Sequence, residues 1–389
     1  MVKKHTFYIA LFWLTNVAIW SIVFARLCLV RIGGDYYDHN AFAELVIKGK
    51  MKIAYPLYHW VVGLLAVILR VPAKIAAIPI LVISQLFTIY LVSKLIKFLF
   101  EDSFDELKAL LLSLAVNIIC PPFWSRMAPA YSCSNTYGSP TQMIVKPFVV
   151  AGILLLLHTL KETNDHIAPN FKTQILLLLV MLGGCLAKPA YLMAFVPAAG
   201  VFYIYRIAKS SHSFTDFIVG YIRNIWPYFV CGIALIIQYI YGSNIVNEGA
   251  VFAGIDANGG IRFGPWVSWK YAIDWPLLSI VLAYMLPLVT VILFKIKTDG
   301  IRRDYLLFTV IYGVISFIFM ALLYQENHIQ DVNFRNIWIY TFLFVHAFFV
   351  PEIFVQRDKV WYKQIPVLGL LSLEILFGIV LIVRKAVLG

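Results

Sequence analysis

Residues 56–98 read PLYHWVVGLLAVILRVPAKIAAIPILVISQLFTIYLVSKLIKF, two apolar runs standing back to back. How they divide fixes the number and direction of every element after them. The first run, 57–71, has about 15 residues, whereas a helix needs about 20 to cross a hydrocarbon layer. The second, 76–98, is long enough and carries Lys94 and Lys97 near its end. If 57–71 crossed, those lysines and Lys108 would emerge outside. If it lies along the interface, they fall on the cytoplasmic face, where Lys and Arg concentrate. The interfacial reading is the one adopted here.

Working back toward the start, Lys3 and Lys4 precede an apolar span at roughly 6–30, so the positive-inside bias puts the N-terminus in the cytoplasm and the next segment outside. Working forward, the apolar periodicity places further spans near 107–120, 147–160, 173–187, 190–206, 225–242, 276–294, 305–324, 336–350 and 364–383. The cytoplasmic segments of this scheme hold Lys161, Lys172, Arg206, Lys209, Arg223, the Lys295/Lys297/Arg302/Arg303 cluster, and Arg357, Lys359 and Lys363. Arg384 and Lys385 end outside, so a ten-span version with an internal C-terminus stays open beside the eleven-span one. The expected fold class is all-α: a polytopic helical membrane protein of about 10–11 spans, with interfacial helices in its first external loop.

Composition points the same way. Of 389 residues, 61% are hydrophobic and 13% charged, and the mean hydropathy of +0.83 exceeds what one soluble core could bury. The whole chain, 1–389, reads as a single integral membrane domain. A net charge of +12 would point to nucleic acid in a soluble protein. Here the basic residues sit at span ends, so topology accounts for them and no nucleic-acid partner is expected. The expected location is a cell membrane, the plasma membrane of a bacterium, with the N-terminus cytoplasmic. Five cysteines show no metal-ligand spacing, and of these only Cys120 and Cys133 share a loop on which they could pair.

Three external segments are long enough to build a site: 31–75, 121–146 and 243–275. The sharpest local signal is Gly33-Gly34-Asp35-Tyr36-Tyr37-Asp38-His39-Asn40, directly after the first span. Two glycines allow a tight turn, and a helix over 38–49 would aim its N-terminal N–H groups at the acidic pair. Asp35 or Asp38 can serve as a helix cap. Either can also serve as a general base, since a carboxylate fixed beside a helix start is oriented and partly desolvated.

In this order and placement the chain resembles the GT-C superfamily of membrane glycosyltransferases. There an acidic residue follows the first span, a short helix comes next, and a Pro-Leu-Tyr-type juxtamembrane helix precedes the second span. Asp35, the 38–49 stretch and Pro56-Leu57-Tyr58-His59-Trp60 are similar, as is Ser93-Lys94-Leu95-Ile96-Lys97 at the end of the second span. The likeness covers the first third of the chain, with weaker echoes at Lys146-Pro147 and Lys188-Pro189. The acidic pair departs from the family pattern, reading Asp-Tyr-Tyr-Asp, and spacing back from Lys48-Gly49 favours Asp35 over Asp38 as base.

The resemblance implies transfer of a sugar from a polyprenyl-phosphate carrier to a glycan or lipid acceptor on the extracytoplasmic face, in making or decorating a cell-surface glycan. Asp35, or Asp38, would take the acceptor's proton. The departing phosphate needs compensation near hydrocarbon, for which Arg126, Lys146, Lys188, Arg262 and Arg335 are the external cations. Lys146 and Lys188 each precede a proline at a span end and could snorkel to a lipid phosphate. Arg262 sits in Gly259-Gly260-Ile261-Arg262-Phe263-Gly264-Pro265-Trp266, and arginine matches phosphate oxygens bidentately. His39, Tyr58 and His59 complete the substrate-binding candidates, with His59 also readable as an interfacial belt residue. A divalent cation could assist, although no motif requires one. Glu248, Asp256 and Asp274 share the third loop, where they could bind sugar hydroxyls or a metal or stand simply as solvated loop acids. His158, His346 and Glu374, scattered over separate spans, do not form a path.

Two rivals remain. A lipid-linked polysaccharide polymerase or ligase should place Arg and His together in a late external loop, and 243–275 has Arg262 but no histidine. A glycolipid transporter or flippase should show broken or charged spans repeated in both halves, and no such symmetry is evident.

Overall fold

The structure, a computed structural model, describes residues 2–30, 35–121, 139–164, 169–253, 261–267, 276–325, 333–356 and 361–384. The helices are α1 (Val2–Leu29), α2 (Tyr36–Ile47), α3 (Leu57–Leu69), α4 (Ala73–Phe100), α5 (Glu106–Ile118), α6 (Pro140–Asn164), α7 (Phe171–Ala187), α8 (Ala190–Ser210), α9 (Phe214–Ala253), α10 (Pro276–Ala283), α11 (Met285–Phe294), α12 (Gly300–Leu322), α13 (Asn333–Val355) and α14 (Trp361–Val383). Among the described residues, eight helices are long and apolar enough to cross a membrane, and α10 with α11 makes a ninth, bent by 61° at Tyr284. The chain is a multi-pass, all-α membrane protein.

Each expected span has a helix, but α5 (13 residues) and α7 (17 residues) are shorter than a crossing needs, so the described residues show eight or nine spans where 10–11 were expected, and some boundaries move. α9 starts at Phe214 rather than 225, and α6 at Pro140 rather than 147. α5 has only 13 residues and stops at Ile118, because the Pro121–Pro122 pair cannot continue a helix and holds the preceding backbone extended. Its end docks on α14, where the Cys120 N–H donates to the Glu374 carbonyl oxygen at 3.1 Å. One feature was not anticipated: Ile261–Phe263 (β1) pairs antiparallel with Leu323–Gln325 (β2), a two-stranded ribbon at the end of α12.

The packing settles how the 57–71 run lies within the bundle. Near its middle α1 contributes Phe12 to a cluster with Ile89 and Leu110. Near its end it contributes Trp20, Phe24 and Leu27 to a cluster with Ala73, Ala76, Ala77 and Leu81. α1 and α4 are therefore antiparallel, and the end of α1 shares a face of the bundle with the start of α4. The α2–α3 segment between them leaves and returns on that face, so α3 does not traverse the bundle. α6 begins there too, since Ser84 Oγ donates to the Met143 carbonyl oxygen at 2.7 Å.

At the opposite end, ion pairs lock α8, α12 and α13 together. Arg206 pairs with Asp304 and also reaches the Leu160 carbonyl oxygen, while Arg302 pairs with Glu352 and lies over the rings of Phe100 and Phe348. The core between the two ends centres on α13, whose span is 89% buried against 22% for the spans of α9 and α14.

Candidate functional site

The face shared by α1, α2, α3 and α6 gathers most of the polar candidates that lie within the described residues. Two close contacts position them. At Gly63 an added Cβ would stand 2.9 Å from the Ala43 carbonyl oxygen and 3.1 Å from Ile47 Cβ, so glycine is what lets α3 rest directly on α2. At Gly184 an added Cβ would be 2.3 Å from the Tyr191 hydroxyl, so glycine admits Tyr191 and lets α7 turn into α8 through Lys188.

With α2 and α3 in register, His39 Nδ1 lies 2.9 Å from His59 Nε2, and His39 Nε2 lies 3.4 Å from Ser139 Oγ, which is 2.9 Å from Thr141 Oγ1. One imidazole must donate and the other accept. If His59 Nε2–H donates to His39 Nδ1, then His39 carries its proton on Nε2 and donates it toward Ser139. His59 Nδ1, which has no hydrogen-bond partner among the described residues, is then a bare acceptor. The reverse assignment would bury an unpartnered N–H, which costs more. The network therefore assigns a directed chain from His59 through His39 to Ser139 and Thr141. Burial, the neighbouring His59 and Lys188 hold His39 well below the ordinary imidazole range, and burial pushes His59 down to about 4. Both rings are neutral at neutral pH.

Tyr58 is fully buried and donates to Asn40 Oδ1 at 2.5 Å, tying α3 to α2 beneath the histidines. Its hydroxyl is engaged inside the protein, so it acts as a fastener of the two helices. His59 is likewise fully buried, which corrects the belt reading; its neighbour Trp60 is the half-exposed residue. Lys146 and Lys188 do not snorkel outward. Both are buried inside the bundle, Lys146 two helical turns below Ser139.

Asp35 is exposed at the N-cap position of α2 and makes no side-chain capping bond, so the cap role is not the one it fills. His39 follows it by four residues, with the His39 N–H on the Asp35 carbonyl oxygen at 2.9 Å, so Asp35 stands one turn above the histidine pair. Asp38 is also exposed but is the immediate neighbour of His39 and faces a different direction around the helix. Arg262 is exposed on β1, on a separate element at the end of α12. Arg335 falls in the first turn of α13 with its side chain outside the described set. Arg126, Asp256, Asp274 and Cys133 lie outside the described residues, as does the side chain of Glu248.

Beside the histidines a groove of about 690 Å³ runs along the outside of the bundle between the α2–α3 connection, α7 and α9. Its walls are mainly apolar, with Trp60, Leu186, Ile237 and Tyr241 all between 41% and 61% exposed, and its polar members are Lys52 and Gln238. Gln238 donates to the carbonyl oxygens of Ala54 and Cys185 at 2.8 and 2.9 Å, stitching the 50–56 connection to α7 and α9. The groove meets the polar cluster through chain neighbours, Trp60 after His59 and Leu186 two residues before Lys188.

Of His158, His346 and Glu374, which the sequence left scattered and unconnected, two prove to be a buried polar pair. His346 and Glu374, both fully buried, approach to 3.8 Å between α13 and α14. His346 Nδ1 donates to the Phe342 carbonyl oxygen at 2.8 Å, so its bare Nε2 faces the carboxyl group. Tyr284, at the break between α10 and α11, packs against His346 and Trp338. His158 stays apart, against Phe98. The pairing could not be read because it joins residues 28 positions apart on helices whose facing sides only the packing sets. No protein-family model matches this chain, and neither curated proteins nor solved structures yield a match.

Proposed function

We propose that this protein is a membrane glycosyltransferase of GT-C-like architecture that moves a sugar from a polyprenyl-phosphate carrier to a glycan or lipid acceptor on the extracytoplasmic face. The observation that carries the reading is the juxtaposition at one end of the bundle. An exposed carboxylate, Asp35, stands above a neutral histidine pair, His59 buried and His39 partly so, with Lys188 near it, and an apolar groove on the outside of the bundle begins at Trp60, the chain neighbour of His59. A lipid phosphate needs those three surroundings: hydrocarbon for its chain, cations for its charge, and a base for the attacking hydroxyl.

In this reaction the acceptor oxygen attacks the anomeric carbon and its proton passes to Asp35. The bond from that carbon to the phosphate oxygen breaks, and the electron pair leaves with the polyprenyl phosphate. Lys188 and Lys146 offset the charge left on the phosphate in a site of low dielectric. In-line displacement inverts the anomeric centre. His39 and His59, neutral and hydrogen-bonded to each other and toward Ser139, hold this face in place without adding charge.

A transporter is the second reading, favoured by one specific observation, the His346–Glu374 pair inside the bundle next to a broken span. One experiment separates the two. Purified protein in proteoliposomes is given a panel of labelled polyprenyl-phosphate sugars and candidate acceptors, and both covalent transfer and transbilayer movement of label are followed. Transfer that is lost with Asp35→Asn supports the enzyme. Movement of label without any transfer across the panel overturns it in favour of the transporter.

A further inference from the structure

At the far end of the α2–α3 pair from His39, where both helices meet the start of α4, a separate crevice of about 300 Å³ opens. Its floor is apolar, formed by Ile47, Gly63, Ala66 and Val67, and its rim carries Glu44, Lys48 and Arg70. Glu44 Oε1 is held by the Ala73 N–H at 3.2 Å. Lys48 and Arg70 are exposed, and among the described residues neither has an ion-pair partner. Two cations and one carboxylate leave the rim with one net positive charge. Just below it the outer face of α3 shows Leu64, Val67, Ile68 and Leu69, each more than half exposed, an apolar belt of the kind that faces lipid tails.

Arg70 closes α3 as its C-cap in the left-handed conformation, with φ 54° and ψ 42°, and the Val71 N–H donates to the Ala66 carbonyl oxygen at 3.0 Å, so the helix ending fixes where this cation leaves the backbone at the rim.

We infer that this crevice binds the headgroup of an anionic glycerophospholipid, with its phosphate between Lys48 and Arg70 and an acyl chain laid on the exposed face of α3. One phosphodiester charge matches the net charge of the rim, and the apolar belt takes the tail. Lys48 lies nine residues beyond His39, about 14 Å along the helix, and the crevice shares no lining residue with the apolar groove beside the histidines.

The test uses delipidated full-length protein in detergent, titrated with phosphatidylglycerol, phosphatidylcholine or soluble glycerol 3-phosphate, with bound lipid counted by native mass spectrometry. The variants are Arg70→Gly and Lys48→Gln. Wild type should retain phosphatidylglycerol at least tenfold more tightly than either variant or than phosphatidylcholine, and glycerol 3-phosphate should not compete at equal concentration. Arg70→Gly relieves the left-handed strain, so its unfolding temperature should stay level or rise, which separates loss of lipid from loss of fold. Equal phosphatidylglycerol binding by wild type and both variants overturns the inference, as does equal binding of phosphatidylcholine. Full displacement by glycerol 3-phosphate would make this an aqueous phosphate site and overturn the lipid assignment.

Discussion

Acid pH should loosen this protein through its paired histidines. A group whose folded pKa is depressed is stabilising above its unfolded value, and that stability is lost as pH falls toward the folded value, because the unfolded chain then binds the proton that the folded one refuses. For His59 the window runs from its ordinary 6.5 down to about 4. Full passage through it removes about 3 kcal/mol, at 1.36 kcal/mol per tenfold change in proton affinity. His39 is held low by the same burial and by its two neighbours, so its loss falls in the same direction. The perturbation is His59→Gln, which keeps an N–H donor within reach of His39 and cannot titrate. Thermal unfolding followed by tryptophan fluorescence in detergent, between pH 7 and 4, reads the difference. Wild type should lose stability more steeply than the variant, the two curves converging by about 3 kcal/mol across the window. If both fall in parallel, His59 is not held neutral in the folded protein, and the directed hydrogen-bond chain through His39 is wrong.

Three further outcomes are expected. Asp35→Asn should lower sugar transfer by about 10²–10⁴ with little change in stability, since removing a general base costs that much and Asp35 makes no capping bond to lose; transfer assays beside thermal unfolding check both halves. Arg302→Met should destabilise by about 3–5 kcal/mol, nearer the lower figure because Gln356 still donates to Glu352 at 2.6 Å, while Arg302→Met combined with Glu352→Leu should recover most of the loss; a double-mutant cycle on unfolding temperature reads it. Gly63→Val should cost about 1–3 kcal/mol by forcing α3 off α2 and should flatten the histidine pH profile, whereas Gly369→Val, whose added Cβ meets nothing within 4 Å, should do neither.

The sequence by itself determined the class and order of elements. Twenty-residue apolar runs have one outcome in a bilayer, because a backbone without water must satisfy its own hydrogen bonds, and helices do so within the segment. The shortness of 57–71 together with the lysines after it marked α3 as a helix that does not traverse the bundle, and the Gly-Gly-Asp signature marked where α2 begins, since turn and helix-start signals are local. Tertiary structure alone decided what meets what. His39 and His59 are twenty residues apart, and Ser139 a hundred residues further on. They converge because Gly63 admits α2 and because α6 starts on the same face as α1 ends, two facts of packing that no local pattern encodes. The inward burial of Lys146 and Lys188 was hidden for the same reason: the sequence shows a lysine at a span end, while the neighbouring helices decide whether its stem runs out to the interface or into the bundle. His346 and Glu374 looked isolated because each was viewed on its own span, and it took the contact of α13 with α14 to make them a pair.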